Sequence, residues 1–147
     1  LATSLYGRVP VTIGTGHLAP AARRWKSQFN ENTKAWAYFE DLPEMNHNAV
    51  SGIHFPPTAV NWFRVLFLRG TGHHPRIELR LDLTQEIFEG QGVTCQRVQA
   101  PGESAVAQIL SSVQLGDYVS CYLASLNCTD PTDIGDIVGL KQRMTGA

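Results

Sequence analysis

The sequence lacks most of the features that assign a chain to a special environment. It has three cysteines, Cys95, Cys121 and Cys128. They are odd in number and lack metal-ligand spacing, which argues against a disulfide framework and a thiolate metal site. Each sits among apolar residues, so buried free thiols in a reducing compartment are expected. No apolar run approaches the ~20 residues needed to span a bilayer; the longest, near residues 65–68, is strand-sized. The N-terminus lacks the basic-then-apolar layout of a secretory signal. These absences point to the cytoplasm and to no membrane partner. An excess of one charge is also lacking, since 12 Lys+Arg stand against 13 Asp+Glu. Without a basic face there is no nucleic-acid footprint, and Arg23, Arg24 and Lys26 read as a solvated helix face. No internal repeat and no low-complexity segment is evident. An initiator Met is missing too: the chain begins Leu1-Ala2-Thr3. That suggests a piece of a longer protein, with residues 4–6 as the end of a linker.

What remains is an ordinary globular composition, 43% hydrophobic and 17% charged over 147 residues, enough for one domain with a real core. The β-branched run Val9-Pro10-Val11-Thr12-Ile13 ends in Gly14-Thr15-Gly16 and predicts a strand entering a turn. Apolar residues Leu18, Ala21, Ala22, Trp25 and Phe29 recur at helical spacing over 17–34, with Pro20 suited to the first turn. A short strand is expected over 35–39, turns over 40–48, and a short helix over 49–52. Residues 61–69 form a continuous apolar strand that belongs in the middle of a sheet covered on both faces. A loop at 70–75, an amphipathic helix over 76–89 ended by Gly90 and Gly92, and a strand over 93–98 follow. A long apolar helix starts at Pro101-Gly102-Glu103, with Gly116 placed to break it in two. Asp130 and Pro131 suit the cap and first position of a last helix. Alternating short strands and helices predict a parallel sheet with helices on both faces.

Several positions offer chemistry. Gly14-Thr15-Gly16-His17 lies between a strand and a helix, where backbone N–H groups can meet an anion. It lacks both GxGxxG and GK(S/T), so a tight turn is the favoured reading, with ligand lining as the alternative. Glu31, in Asn30-Glu31-Asn32, sits late in a helix, an unfavourable end for a carboxylate. It is either a surface residue or part of a polar pocket to which Asn30 and Asn32 contribute. His47 lies in Asn46-His47-Asn48, where flanking carboxamides are suited to fixing an imidazole. His54, His73 and His74 have no such company and read as structural or exposed.

These segments are specific when taken together. Arg24-Trp25-Lys26, Gln28, Asn30-Glu31-Asn32-Thr33-Lys34, Pro43-Glu44-Met45-Asn46-His47-Asn48, Leu115-Gly116-Asp117-Tyr118-Val119-Ser120, Tyr122-Leu123-Ala124 and Asp130-Pro131-Thr132 occur in order over nearly the whole chain. In this the sequence resembles the C-terminal half of the bifunctional phosphoglucose/phosphomannose isomerases, within the sugar isomerase (SIS) superfamily. The resemblance implies a single three-layer αβα domain over 1–147 with a five-stranded parallel sheet. It implies an N-terminal SIS domain in the same parent chain, a homodimer, and no metal or other cofactor. The implied reaction interconverts glucose 6-phosphate, or mannose 6-phosphate, with fructose 6-phosphate. Glu31 then matches the catalytic base, His47 the ring-opening histidine reaching a neighbouring subunit, and Thr132 a threonine close to the sugar phosphate, with Asn46 and Asn48 also at the substrate.

Two departures qualify this. The family usually continues Asn-His-Asn with Glu, and here Ala49 stands. The family's Ser/Thr-rich phosphate loop belongs to the N-terminal domain and has no convincing counterpart here, since Ser111-Ser112 falls inside a helix pattern. The alternatives are therefore a non-catalytic sugar-phosphate-binding domain with a regulatory role, or a dimerisation scaffold.

Overall fold

The computed structural model of the protein describes residues 1–146. Four strands, β1 (Val9–Thr15), β2 (Tyr38–Leu42), β3 (Phe63–Arg69) and β4 (Thr94–Gln99), form one sheet in the order β2-β1-β3-β4. Every neighbouring pair is parallel. The helices are α1 (Ala2–Leu5), α2 (Ala19–Thr33), α3 (Pro75–Gly90), α4 (Ala105–Leu126) and α5 (Gly135–Thr145). Short 3-10 turns at Glu44–His47, Ala49–His54 and Pro57–Asn61 fill the connection from β2 to β3.

The continuous apolar run of β3 follows from its central position. Side chains alternate across a strand, so Leu66 and Leu68 join α1, α2 and α4 on one face. Val65 and Phe67 join Leu81 and Phe88 of α3 on the other. This is the expected αβα layering with one strand fewer. After Gln99 no β-branched run remains. The apolar residues Ile134, Ile137, Val138 and Leu140 recur at helical spacing and lie in or beside α5 instead.

Other expectations shift for local reasons. Residues 4–6 are not linker: Leu5 ends α1 and is buried in the core. Strand β2 starts at Tyr38, three residues beyond the expected start, because Lys34 closes α2 in the left-handed region (φ 55°) and residues 34–37 are spent on the turn. Asp130 does not cap a helix. Its Oδ1 accepts from the Thr132 backbone N–H (2.8 Å) and hydroxyl (2.7 Å), closing a local turn. Helix α5 begins only at Gly135. Gly116 does not break α4. The helix runs unbroken from Ala105 to Leu126, and Gly116 is where the Trp25 ring of α2 lies against it.

The thiols divide by position. Cys121 and Cys128 are exposed, contrary to the expectation of burial. Cys95 is half-buried on β4, and burial, reinforced by Glu89, pushes its thiol up to about 12. Iodoacetamide is therefore expected to label Cys121 and Cys128 in the folded protein and to spare Cys95, because the thiolate is the nucleophile. Peptide mass spectrometry checks this, and equal labelling of Cys95 would contradict it. No helix among the described residues is long and apolar enough to cross a membrane.

Candidate active site

Glu31 lies in the last turn of α2 with its side chain exposed. Its neighbours face inward and tie the helix end down. Asn30 Oδ1 accepts the Ala37 N–H at 2.7 Å, and Asn32 Nδ2 donates to Ser120 Oγ at 2.7 Å. The flanking carboxamides thus set the rotational phase of the helix, which leaves Glu31 pointing outward. Lys34 Nζ donates to the Glu31 carbonyl (2.7 Å) and to the Asp133 carbonyl (2.5 Å). This clamps the Asp130–Asp133 turn to the end of α2. Between them opens a cleft of ≈ 490 Å³, bordered by Glu31, Lys26, Lys34, Asp133 and Ile137. Thr132 belongs to the same turn and is exposed. Its partner Asp130 is held below the usual carboxylate range by the Thr132 hydroxyl, then by the Thr132 N–H and the Lys34 charge.

His47 ends the 3-10 turn that follows β2. Met45 buries itself in the core and anchors the turn. Asn46 Nδ2 donates to Thr84 Oγ1 (3.0 Å), and its Oδ1 accepts from Arg80 Nη1 (3.0 Å). Asn48 Nδ2 donates to Glu44 Oε1 at 3.2 Å, and its Oδ1 accepts the Ala49 N–H. The carboxamides fix the turn rather than the ring. The imidazole of His47 is exposed and has no hydrogen bond to any described residue. Ala49 is half-buried among apolar neighbours. Together with Glu40 it borders a cavity of ≈ 270 Å³. The Glu40 carboxyl is raised by burial, then by Asp41 and Glu44.

The fold therefore places the turn that carries Thr132 beside the end of α2 that carries Glu31, and keeps His47, Asn46 and Asn48 away from both. Helix α2 leaves the carboxyl end of β1 and returns to the amino end of β2, so Glu31 lies at the amino edge of the sheet. His47 follows the carboxyl end of β2. A helix rises 1.5 Å per residue, so the two edges are separated by about 20 Å. No metal-binding cluster of His, Cys, Asp or Glu occurs among the described residues.

Residues 1–144 match the family described as the bacterial phospho-glucose isomerase C-terminal SIS domain. The chain belongs to this family. The bifunctional phosphoglucose/phosphomannose isomerase of Aquifex aeolicus is 39% identical over 144 residues, covering 98% of this chain and 45% of that protein. The protein of the same name from Thermoplasma acidophilum is 33% identical over 147 residues, covering 99% and 46%. The chain thus spans about half the length of these curated relatives. Among solved structures, a glucose-6-phosphate isomerase like protein from Thermus thermophilus superposes with a TM-score of 0.75 at 22% identity, over 91% of this chain and 44% of that one. That likeness speaks to the SIS fold. The SIS domain here also carries a short repeat whose two copies meet in space. The tetrapeptide Gly-Thr-Gly-His occurs twice, as Gly14-Thr15-Gly16-His17 and Gly70-Thr71-Gly72-His73, and its two histidines stack on each other.

Proposed function

We propose that this SIS domain is the C-terminal half of an isomerase that interconverts glucose 6-phosphate, and mannose 6-phosphate, with fructose 6-phosphate. The observation that carries the reading is the cleft at Glu31, in a chain matched end to end by relatives bearing the isomerase name. Moving a carbonyl between C2 and C1 requires taking a proton from the carbon alpha to it. Glu31 takes the C2 proton of the open-chain aldose, giving an enediol, and returns it to C1. His47 moves the proton that opens the ring, and Thr132 with its clamped turn borders the sugar phosphate. Such a base works best when burial raises its pKa toward working pH. Glu31 is exposed in this domain, so the covering surface belongs to the upstream SIS domain or to a second subunit. The outward stripe of Val106, Leu110, Tyr118 and Tyr122 on α4 supports a domain that is covered in its parent, because apolar patches of that kind mark interfaces. The upstream domain also supplies the phosphate grip.

The test is the full-length protein, wild type beside Glu31→Gln, assayed for conversion of both aldose phosphates to fructose 6-phosphate. Turnover should fall by about 10²–10⁴-fold, the usual share of a general base, with substrate binding retained. Unchanged turnover would remove Glu31 from the role. His47→Ala should impair ring-closed substrate more than open-chain substrate, and equal losses would remove His47 from ring opening.

A second reading, a non-catalytic sugar-phosphate-binding domain, is favoured by Ala49. It offers no carboxylate to orient His47. A folded wild-type parent that binds glucose 6-phosphate without turning it over would select that reading.

A further inference from the structure

The strand order reverses between β1 and β3. Helix α2 carries the chain from β1 outward to β2, and α3 carries it from β3 outward to β4. The loops after β1 and β3 therefore part from one another, and ligands of open α/β sheets collect at such a point. Both loops here are Gly-Thr-Gly-His. We propose that these twin turns form a binding site for a phosphate-class oxyanion that still carries one proton, separate from the cleft at Glu31.

The two turns are built against each other. Gly16 (φ 53°) and Gly72 (φ 83°) adopt left-handed backbone. The rings of His17 and His73 stack with centroids 4.6 Å apart and planes 19° from parallel. A Cβ on Gly16 would stand 3.2 Å from His73 Cε1. Behind them lies Gln108, only 1% exposed. Its Nε2 donates to Thr71 Oγ1 (2.7 Å) and the Gly102 carbonyl (3.0 Å), while its Oε1 accepts the Thr71 N–H (3.0 Å). That pattern fixes which end of the amide is oxygen. His17 Nε2, 2.9 Å from this Oε1, must then carry a hydrogen, and His17 Nδ1 is left as the working nitrogen.

A turn held only for architecture would close its hydrogen bonds. This one does not. Four buried side-chain polar atoms among the described residues lack a partner, and three of them are His73 Nε2, Arg69 Nη1 and Glu78 Oε1. They belong to one cluster. Arg69 Nη2 pairs with Glu78 (3.3 Å) and Asp82 (2.7 Å), and Arg97 pairs with Asp82 (3.2 Å). The His73 ring titrates in the fields of His17, Glu78 and Arg69, and burial with the His17 and Arg69 charges lowers its pKa. Unsatisfied buried polar groups are costly, and three together mark a site that a ligand completes. Arg69 Nη1 offers hydrogens to oxygen acceptors, His73 Nε2 does so in the tautomer protonated there, and Glu78 Oε1 needs a hydrogen. Sulfate has none to give. Inorganic phosphate keeps one throughout the neutral range, whereas a phosphate monoester, with a second pKa near ~6, keeps one only on the acid side. The Arg69, Arg97, Glu78 and Asp82 charges cancel, so the oxyanion is held by hydrogen bonds from the unpartnered donors rather than by net charge.

The experiment uses the full-length protein and follows the imidazole Cε1–H NMR signals of His17 and His73, assigned with His17→Asn and His73→Asn. Inorganic phosphate and sulfate are added in turn at equal ionic strength near pH ~6.5, the ordinary imidazole pKa. Phosphate should shift both signals saturably and sulfate should do so far more weakly. Glu78→Gln, whose amide can donate, should narrow or reverse that preference without disturbing the ring stack. Glu31→Gln should leave both titrations unchanged, which separates this site from the isomerase cleft. Unmoved signals, or equal shifts with both anions, would overturn the proposal. So would an unaltered preference in Glu78→Gln.

Discussion

Full-length protomers carrying Glu31→Gln are expected to regain activity when mixed with protomers carrying His47→Ala, although neither variant works alone. The reason lies in the direction of α2. It carries Glu31 to the amino edge of the sheet, while the turn after β2 holds His47 at the carboxyl edge. Both groups are pinned: Asn30, Asn32 and Lys34 fix the helix end, and Met45, Asn46 and Asn48 fix the turn. No side-chain rotation closes a gap of about 20 Å, whereas a base and its partner acid must both lie within hydrogen-bond reach of the substrate. If one subunit supplies Glu31 and the other His47, a mixed dimer has one site with both groups and one with neither. Random exchange makes half of the dimers mixed, so about a quarter of wild-type activity should return in a two-fold assembly. Two different affinity tags would isolate the mixed species for assay. Mixed dimers as inactive as the parents would exclude a site shared between subunits.

The layering was legible because it rests on periodicity. The run around Val65–Leu68 is apolar at every position, which only a strand covered on both faces tolerates, and β3 lies in the middle of the sheet. Element ends were less legible. Asp130-Pro131 reads as a helix start, but Asp130 spends its carboxylate on Thr132 and the chain turns once more before α5. A cap motif states a local preference, and the clamp from Lys34 to the Asp133 carbonyl overrides it with a contact 99 positions distant in sequence.

Motif residues also divide in a way that sequence alone conceals. Arg24, Gln28 and Asp117 stand in separate matched segments, yet they form one clasp. Arg24 Nη2 donates to both Asp117 oxygens (3.1 and 3.0 Å), and Gln28 Nε2 donates to Oδ1 (3.0 Å). Much of what makes the sequence resemble its relatives is thus the seam between α2 and α4. Glu31 stands apart because it is exposed and makes no such bond, beside neighbours that do. The paired Gly-Thr-Gly-His turns were visible as letters. Their meaning depends on β1 and β3 being adjacent, which no spacing rule reveals.

Gly116→Ala tests that seam. Helix propensity alone predicts a gain of about 1 kcal/mol for replacing glycine inside a helix. Packing predicts the opposite sign. A Cβ at position 116 would overlap Trp25 Nε1 and lie 2.5 Å from Cδ1 and 2.6 Å from Cε2. The ring cannot retreat cheaply, because Trp25 is fully buried and its Nε1 donates to the Ser112 carbonyl at 2.8 Å. Overpacking of this kind costs about 1–3 kcal/mol, and losing the indole hydrogen bond adds about 1 kcal/mol. The net expectation is a loss of about 1–3 kcal/mol after the propensity gain is subtracted. Urea unfolding with an unchanged slope would measure it. A stabilised variant would mean that Gly116 is not the seat of Trp25. The companion change Trp25→Leu is itself destabilising, since it removes a large buried ring, but it should make Gly116→Ala nearly harmless. That non-additivity identifies the Trp25–Gly116 contact as the cause. Equal penalties in both backgrounds would assign the loss to α4 alone.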